Sequence, residues 1–226
     1  MDTEELVRRL AHDVEPVRPL PGPWIRTVEW LALAVPYVVL VVVVMSPRVD
    51  LTAKMSDWRF VLEQFAAMAT ATAGAVAAFA TVIPGHNRKF LLLPLLTLSI
   101  WLGSLGYGLV QEWAQSGRDG LPLRPDWICM PAIVLAGLVP AIAIVVMLRR
   151  GAPLTPRATL ALAGLAAAGL GNLGMRLFHQ HDEIMTVLVW QFGTVVMVSA
   201  LAGWTGHYFL SWRPRLAAAR RRVTTG

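Results

Sequence analysis

Charge is scarce in this sequence. Asp, Glu, Lys and Arg make up 15 % of its 226 residues, against 56 % for the apolar types, whereas soluble domains usually carry about a quarter charged residues. The shortfall disfavours a soluble globular fold. Placement decides the matter, because evenly spread apolar residues mean a large core and charge-free blocks mean a bilayer. Cysteine is scarcer still: Cys129 is the only one, so these residues can form neither an internal disulfide nor a CxxC redox pair. Gly-rich phosphate loops, HExxH and Gly-x-Ser-x-Gly runs are also missing. That leaves no catalytic residue, no metal ligand set and no cofactor to assign, and the expectation is a protein that is not an enzyme.

What is present is blocked. Apolar stretches run from roughly Val28 to Met45, Phe60 to Ile83, Phe90 to Val110, Ile128 to Leu148, Ala158 to Phe178 and Ile184 to Phe209, each about the length that crosses a bilayer as a helix. The expected fold is all-α, a polytopic membrane protein with six transmembrane helices. The charged residues inside the stretches are Glu29, Glu63 and Arg176, each near an end, where a long side chain can snorkel to water. Trp24, Trp30, Trp58, Trp113, Trp127 and Trp212 fall near helix ends, as expected of rings at the headgroup level. The span centres hold no acid or base, which argues against the alternative reading, a small transporter or channel subunit. Asn172 and Gln191 read as interhelical hydrogen-bonding groups. Ala163, Ala167 and Gly171 on one stripe of the fifth span, with Gly164 and Ala168 on the next, allow close helix approach; Pro36, Pro94 and Pro140 are candidate kinks.

Lys and Arg divide unequally between the two sides, fourteen on the side of the termini and six on the other. By the positive-inside rule both termini are cytoplasmic. The net charge of +6 is mostly this bias, so no direct nucleic-acid partner is expected. Three parts follow: residues 1–23, a cytoplasmic amphipathic helix with a Pro-rich linker; residues 24–212, the six-helix bundle; and residues 213–226, a basic cytoplasmic tail suited to anionic lipid.

The N-terminal segment is the longest cytoplasmic piece and the one with acids. Asp2 can cap a helix with Glu5 at N3, and Glu4 with Arg8 and Glu5 with Arg9 are favourable (i, i+4) pairs. Leu6, Val7, Leu10, Ala11 and Val14 then share one face. Pro16, Pro19, Pro21 and Pro23 stop the helix and favour an extended spacer. So short a helix is marginal alone. Its acidity distinguishes it from the Lys- and Arg-rich helices that lie on lipid, so a groove on a cytoplasmic protein is the favoured partner. On the external side, Cys129 begins the fourth span, and His179, His181, Asp182 and Glu183 make up the turn between the fifth and sixth. Thiol, imidazole and carboxylate ligate soft or borderline metals, and a thiol can be oxidised. The plainer alternatives are a packed cysteine and a solvated turn.

The pattern resembles the NrsF-type membrane anti-sigma factors, six-helix proteins of the bacterial inner membrane that hold an extracytoplasmic-function sigma factor inactive. The likeness runs through LVRRLAHDVEPVRPL, FLLLPLLTLSIWLGSLGYG, DWIC, LRRGAPLTPR and RLFHQHDEIMTVLVWQFGTV, in that order. It implies that the N-terminal segment, with Leu6, Val7, Leu10, Ala11 and Val14, contributes to sigma binding. It also implies that external-face thiols take part in sensing oxidative or heavy-metal stress. Cys129 matches the first thiol position and the second falls near His179. This chain therefore departs from a two-thiol switch and leaves sulfenylation, an intermolecular disulfide or a Cys/His metal site, with Cys129, His179, His181 and Asp182 as the candidate sensing residues. Sequestration without sensing is a further alternative.

Overall fold

The computed structural model describes residues 3–12, 20–83, 85, 88–117, 126–151, 153–180 and 183–210. Their regular structure is all helical, with no strand among the described residues. The elements are α1 (Thr3–His12), α2 (Pro23–Met45), the short α3 (Leu51–Met55), α4 (Trp58–Ala80), α5 (Leu92–Ser116), α6 (Cys129–Leu148), α7 (Pro156–Phe178) and α8 (Ile184–Phe209), the last containing a π-helical segment at Val187–Phe192. Six of them, α2 and α4 to α8, are long and apolar enough to cross a membrane. The helix starts have local causes: Pro23 and Pro156 sit at the first turns of α2 and α7, where the missing N–H costs nothing, and the Asp57 side chain caps α4 by accepting the Arg59 N–H at 3.0 Å.

α7 is the hub. Buried residues make up 72 % of its span, against 17 % for α5, and it packs on α2, α4, α6 and α8, whereas α5 leans on α4 and the start of α8. Its Ala and Gly content is the reason. A Cβ built on Gly171 overlaps the Ile133 carbonyl of α6 and comes within 2.9 Å of the Gly137 nitrogen, and one on Gly137 falls 2.9 Å from the Ala167 carbonyl. Gly164 meets Ala202 and Ser199 of α8 in the same way, and Gly74 of α4 meets the Leu162 carbonyl. Ala163, Ala167, Ala168 and Gly171 are all buried in this packing, so the expected small-residue stripes are helix contacts. Without a hydrophobic drive between helices in lipid, such close approach supplies the van der Waals energy of association. Gly171→Ala therefore lowers the thermal midpoint in detergent, because overpacking costs about 1–3 kcal/mol and outweighs the alanine helix gain of about 1 kcal/mol. Gly103, with nothing within 4 Å of its built Cβ, is the control; equal midpoints for both Ala variants would contradict this packing.

α2 is tied to α6 by three donors. The Arg26 guanidinium bonds the Met147 carbonyl, Trp30 Nε1 donates to the Pro140 carbonyl at 2.9 Å, and Tyr37 Oη donates to the Leu135 carbonyl at 2.9 Å. The ring of Pro140 removes one helical N–H, so α6 is braced from α2 where its own ladder is broken. Trp30 thus departs from the headgroup placement expected of it: it is 0 % exposed and belongs to the core, while Trp24, Trp58, Trp113 and Trp127 are exposed. Pro94 also differs from expectation, since α5 begins at Leu92 and the proline occupies the first turn, a position that interrupts no helical bond.

Candidate functional site

At the end of the bundle where α2, α5 and α7 finish and α4, α6 and α8 begin, polar groups converge. α6 starts from a turn in which the Cys129 N–H bonds the Asp126 carbonyl at 3.3 Å. α7 stops when His179 turns extended (φ −101°, ψ 136°), its N–H still held by the Met175 carbonyl at 2.9 Å. These two ends bring three side chains together. The Cys129 thiol donates to Asp126 Oδ2 at 3.0 Å, and the same oxygen lies 2.5 Å from His179 Nε2. One atom from each of Asp126, Cys129 and His179 lies within 4.8 Å of the others, the combination of donors that can ligate a metal ion. Cys129 is 0 % exposed and packs with Ala132, Ile133 and Met175, with Phe178 and Trp190 alongside. The Trp127 and Trp190 rings meet edge to face at 4.7 Å beside it.

A second polar layer supports the first. Arg48, between α2 and α3, donates its backbone N–H to the Leu177 carbonyl at 3.1 Å and Nη1 to the His179 carbonyl at 3.3 Å. Its Nε and Nη2 reach the two Asp50 oxygens at 2.6 and 2.8 Å. Those hydrogen bonds hold the Asp50 carboxyl below its usual value. A lowered folded value favours the ionised form, so this small contribution is present above about pH 4 and is lost as pH falls through the lowered value. Arg176 Nη2 bonds Glu63 Oε2 at 2.7 Å, joining α7 to α4. The guanidinium groups of Arg48 and Arg176 both approach the Phe60 ring, 5.7 and 5.2 Å from its centroid.

Several expectations change here. Glu63 and Arg176 do not snorkel; they are buried against each other, which satisfies both charges at less cost than leaving either in hydrocarbon. Asn172 Oδ1 is buried without a hydrogen bond among the described residues. Gln191 faces the Cys129 thiol from the π-helical segment, a distortion common at functional sites. Cys129 and His179 meet as their shared membrane level allowed. His181 and Asp182 lie outside the described residues. Asp126, three residues before the cysteine, was overlooked in the sequence; the signal was there in DWIC, where an acid stands one helical turn from the thiol.

Of the proposed partner-binding face, Leu6, Val7, Leu10 and Ala11 belong to α1, while Val14 lies outside the described residues. Val7 is 60 % exposed.

Six spanning helices around a Gly/Ala-rich hub, with a buried Asp–Cys–His cluster at one end, define an all-helical membrane protein. The family model for NrsF, negative regulator of sigma F, matches residues 10–212, and the chain belongs to that family of sigma-factor regulators. No curated protein and no solved structure matches it.

Proposed function

We propose that the chain is an inner-membrane anti-sigma factor that sequesters an extracytoplasmic-function sigma factor through its cytoplasmic N-terminal segment and releases it on an oxidative or metal signal at the periplasmic face. Membership of the NrsF family over residues 10–212 carries this reading. Fourteen basic residues on the side of the termini against six on the other support an N-in, C-in orientation. In that orientation residues 1–23 are the docking arm, 24–212 the bundle and 213–226 a lipid-facing tail. The exposed Val7 on α1 fits a helix that becomes fully stable in a partner's groove.

The sensing residues in this reading are Cys129 and His179, with His181 and Asp182 next in sequence. The cluster joins the start of α6 to the end of α7, and α7 packs against four other spans, so a change there reaches the whole bundle. A stimulus shifts the two packings only by its differential free energy for them, and tenfold release takes about 1.4 kcal/mol. The test is a reporter driven by the sigma factor. It is silent with the intact chain and responds to oxidants or thiophilic metals; Cys129→Ser blunts that response while leaving the reporter silent at rest. An unchanged response in Cys129→Ser would remove the thiol from signalling.

A further inference from the structure

The cluster at the start of α6 holds more than a cysteine. Asp126 and Cys129 come from one helix end and His179 from another, and their donor atoms already lie within 4.8 Å of one another. Gln191 adds an independent observation. It is 1 % exposed, its amide reaches the same thiol, and its Oε1 has no hydrogen-bond partner among the described residues. Burying a carbonyl oxygen without a partner costs about 1–3 kcal/mol, and a fourth ligand position would relieve that cost. We propose that Asp126, Cys129 and His179, with the Gln191 carbonyl oxygen as fourth donor, form a tetrahedral site for one divalent transition-metal ion of borderline softness, of the zinc and cadmium class. The proposal deepens the signalling reading above by naming the ligand, and rests on it only for the consequence of binding.

The donor set fixes the class. One sulfur, one imidazole nitrogen and two oxygens suit zinc and its neighbours, whereas magnesium and calcium take all-oxygen shells. The Cys129 thiol gives up its proton to solvent, and His179 coordinates through Nε2 with its ring proton on Nδ1. Thiolate and carboxylate then cancel the two charges of the ion, as a site of low dielectric requires. Geometry supplies the mechanical step. Metal–ligand lengths of about 2.0–2.3 Å place tetrahedral donors roughly 3.4–3.6 Å apart, whereas Asp126 Oδ2 now sits 3.0 Å from the sulfur and 2.5 Å from the imidazole. An entering ion spreads these donors by somewhat under about 1 Å each and replaces a hydrogen-bonded contact between the α6 and α7 ends with coordinate bonds. His179, the most exposed of the three side chains, is the entry side.

Cobalt is the probe, because it occupies zinc sites and reports its own ligands. The full chain in detergent, stripped of metal, is titrated with Co2+ alone. One equivalent should give a thiolate-to-cobalt charge-transfer band and the intense visible bands of a tetrahedral ion, both removed by one equivalent of Zn2+. Cys129→Ser should lose the charge-transfer band. Asp126→Asn and His179→Ala should each weaken binding by more than about 100-fold, exceeding the 10–100-fold typical of outer-shell partners. His179→Cys should keep binding and strengthen the charge-transfer band, which separates loss of a ligand from loss of the fold. Absence of the bands in the wild-type chain, or binding unchanged in Asp126→Asn, overturns the proposal. Because no sigma factor is present in this experiment, its failure leaves the anti-sigma reading standing, and a reporter that still answers oxidants would then assign the signal to thiol oxidation.

Discussion

Deleting residues 2–15 abolishes co-purification of the sigma factor while the protein still inserts into the membrane, and replacing Leu6 and Leu10 together with Asp has nearly the same effect. The size of the effect follows from burial. A leucine seated in a groove contributes about 1.5–3 kcal/mol, so two lost anchors lower affinity by at least about a hundredfold at 1.4 kcal/mol per decade. Carboxylates in their place add an unpaired charge to an apolar pocket, which costs more. Helix propensity changes little over two positions and the six spans are untouched, so insertion is unaffected. Binding that survives both changes would move the docking surface to the Arg-rich loops.

Arg176→Ala lowers the stability of the bundle by up to about 3–5 kcal/mol, since it breaks a largely buried ion pair with Glu63. The side chains are 6 % and 13 % exposed, and the contact is 2.7 Å, so neither charge recovers full hydration when its partner goes. The Phe60 ring also loses one of its two cations. Joint replacement, Arg176→Met with Glu63→Leu, restores most of the loss, because an apolar pair carries no desolvation penalty. Thermal unfolding in detergent of the wild type, Arg176→Met, Glu63→Leu and the double variant reads the coupling. Additive losses would mean that the two residues act separately.

How much of this was legible beforehand differs between the fold and the site. The spans read well because each is a long charge-free run, and a bilayer imposes that pattern locally. The small-residue stripes of α7 read equally well: Gly171 and Gly137 meet where the stripe pointed. Tertiary choices did not. Trp30 sits at a helix start by sequence, yet it faces α6 and donates to the Pro140 carbonyl, a partner 110 positions away. The pairing of Glu63 with Arg176 spans 113 positions and no periodicity encodes it. For the site, Cys129 and His179 were visible as chemistry, and their meeting depends on α6 and α7 being neighbours. Asp126 needed only the helical spacing to Cys129, while Gln191 needed the π-helical segment that turns it toward the thiol.

The central claim is sequestration, and transcription with purified components tests it most directly. The full-length protein in lipid nanodiscs is added to its sigma factor before core RNA polymerase. The account predicts that sigma-directed transcription falls in proportion to the protein added and reaches background near one equivalent. The Leu6→Asp, Leu10→Asp protein in the same nanodiscs should have no effect. Undiminished transcription with excess wild-type protein would contradict the account.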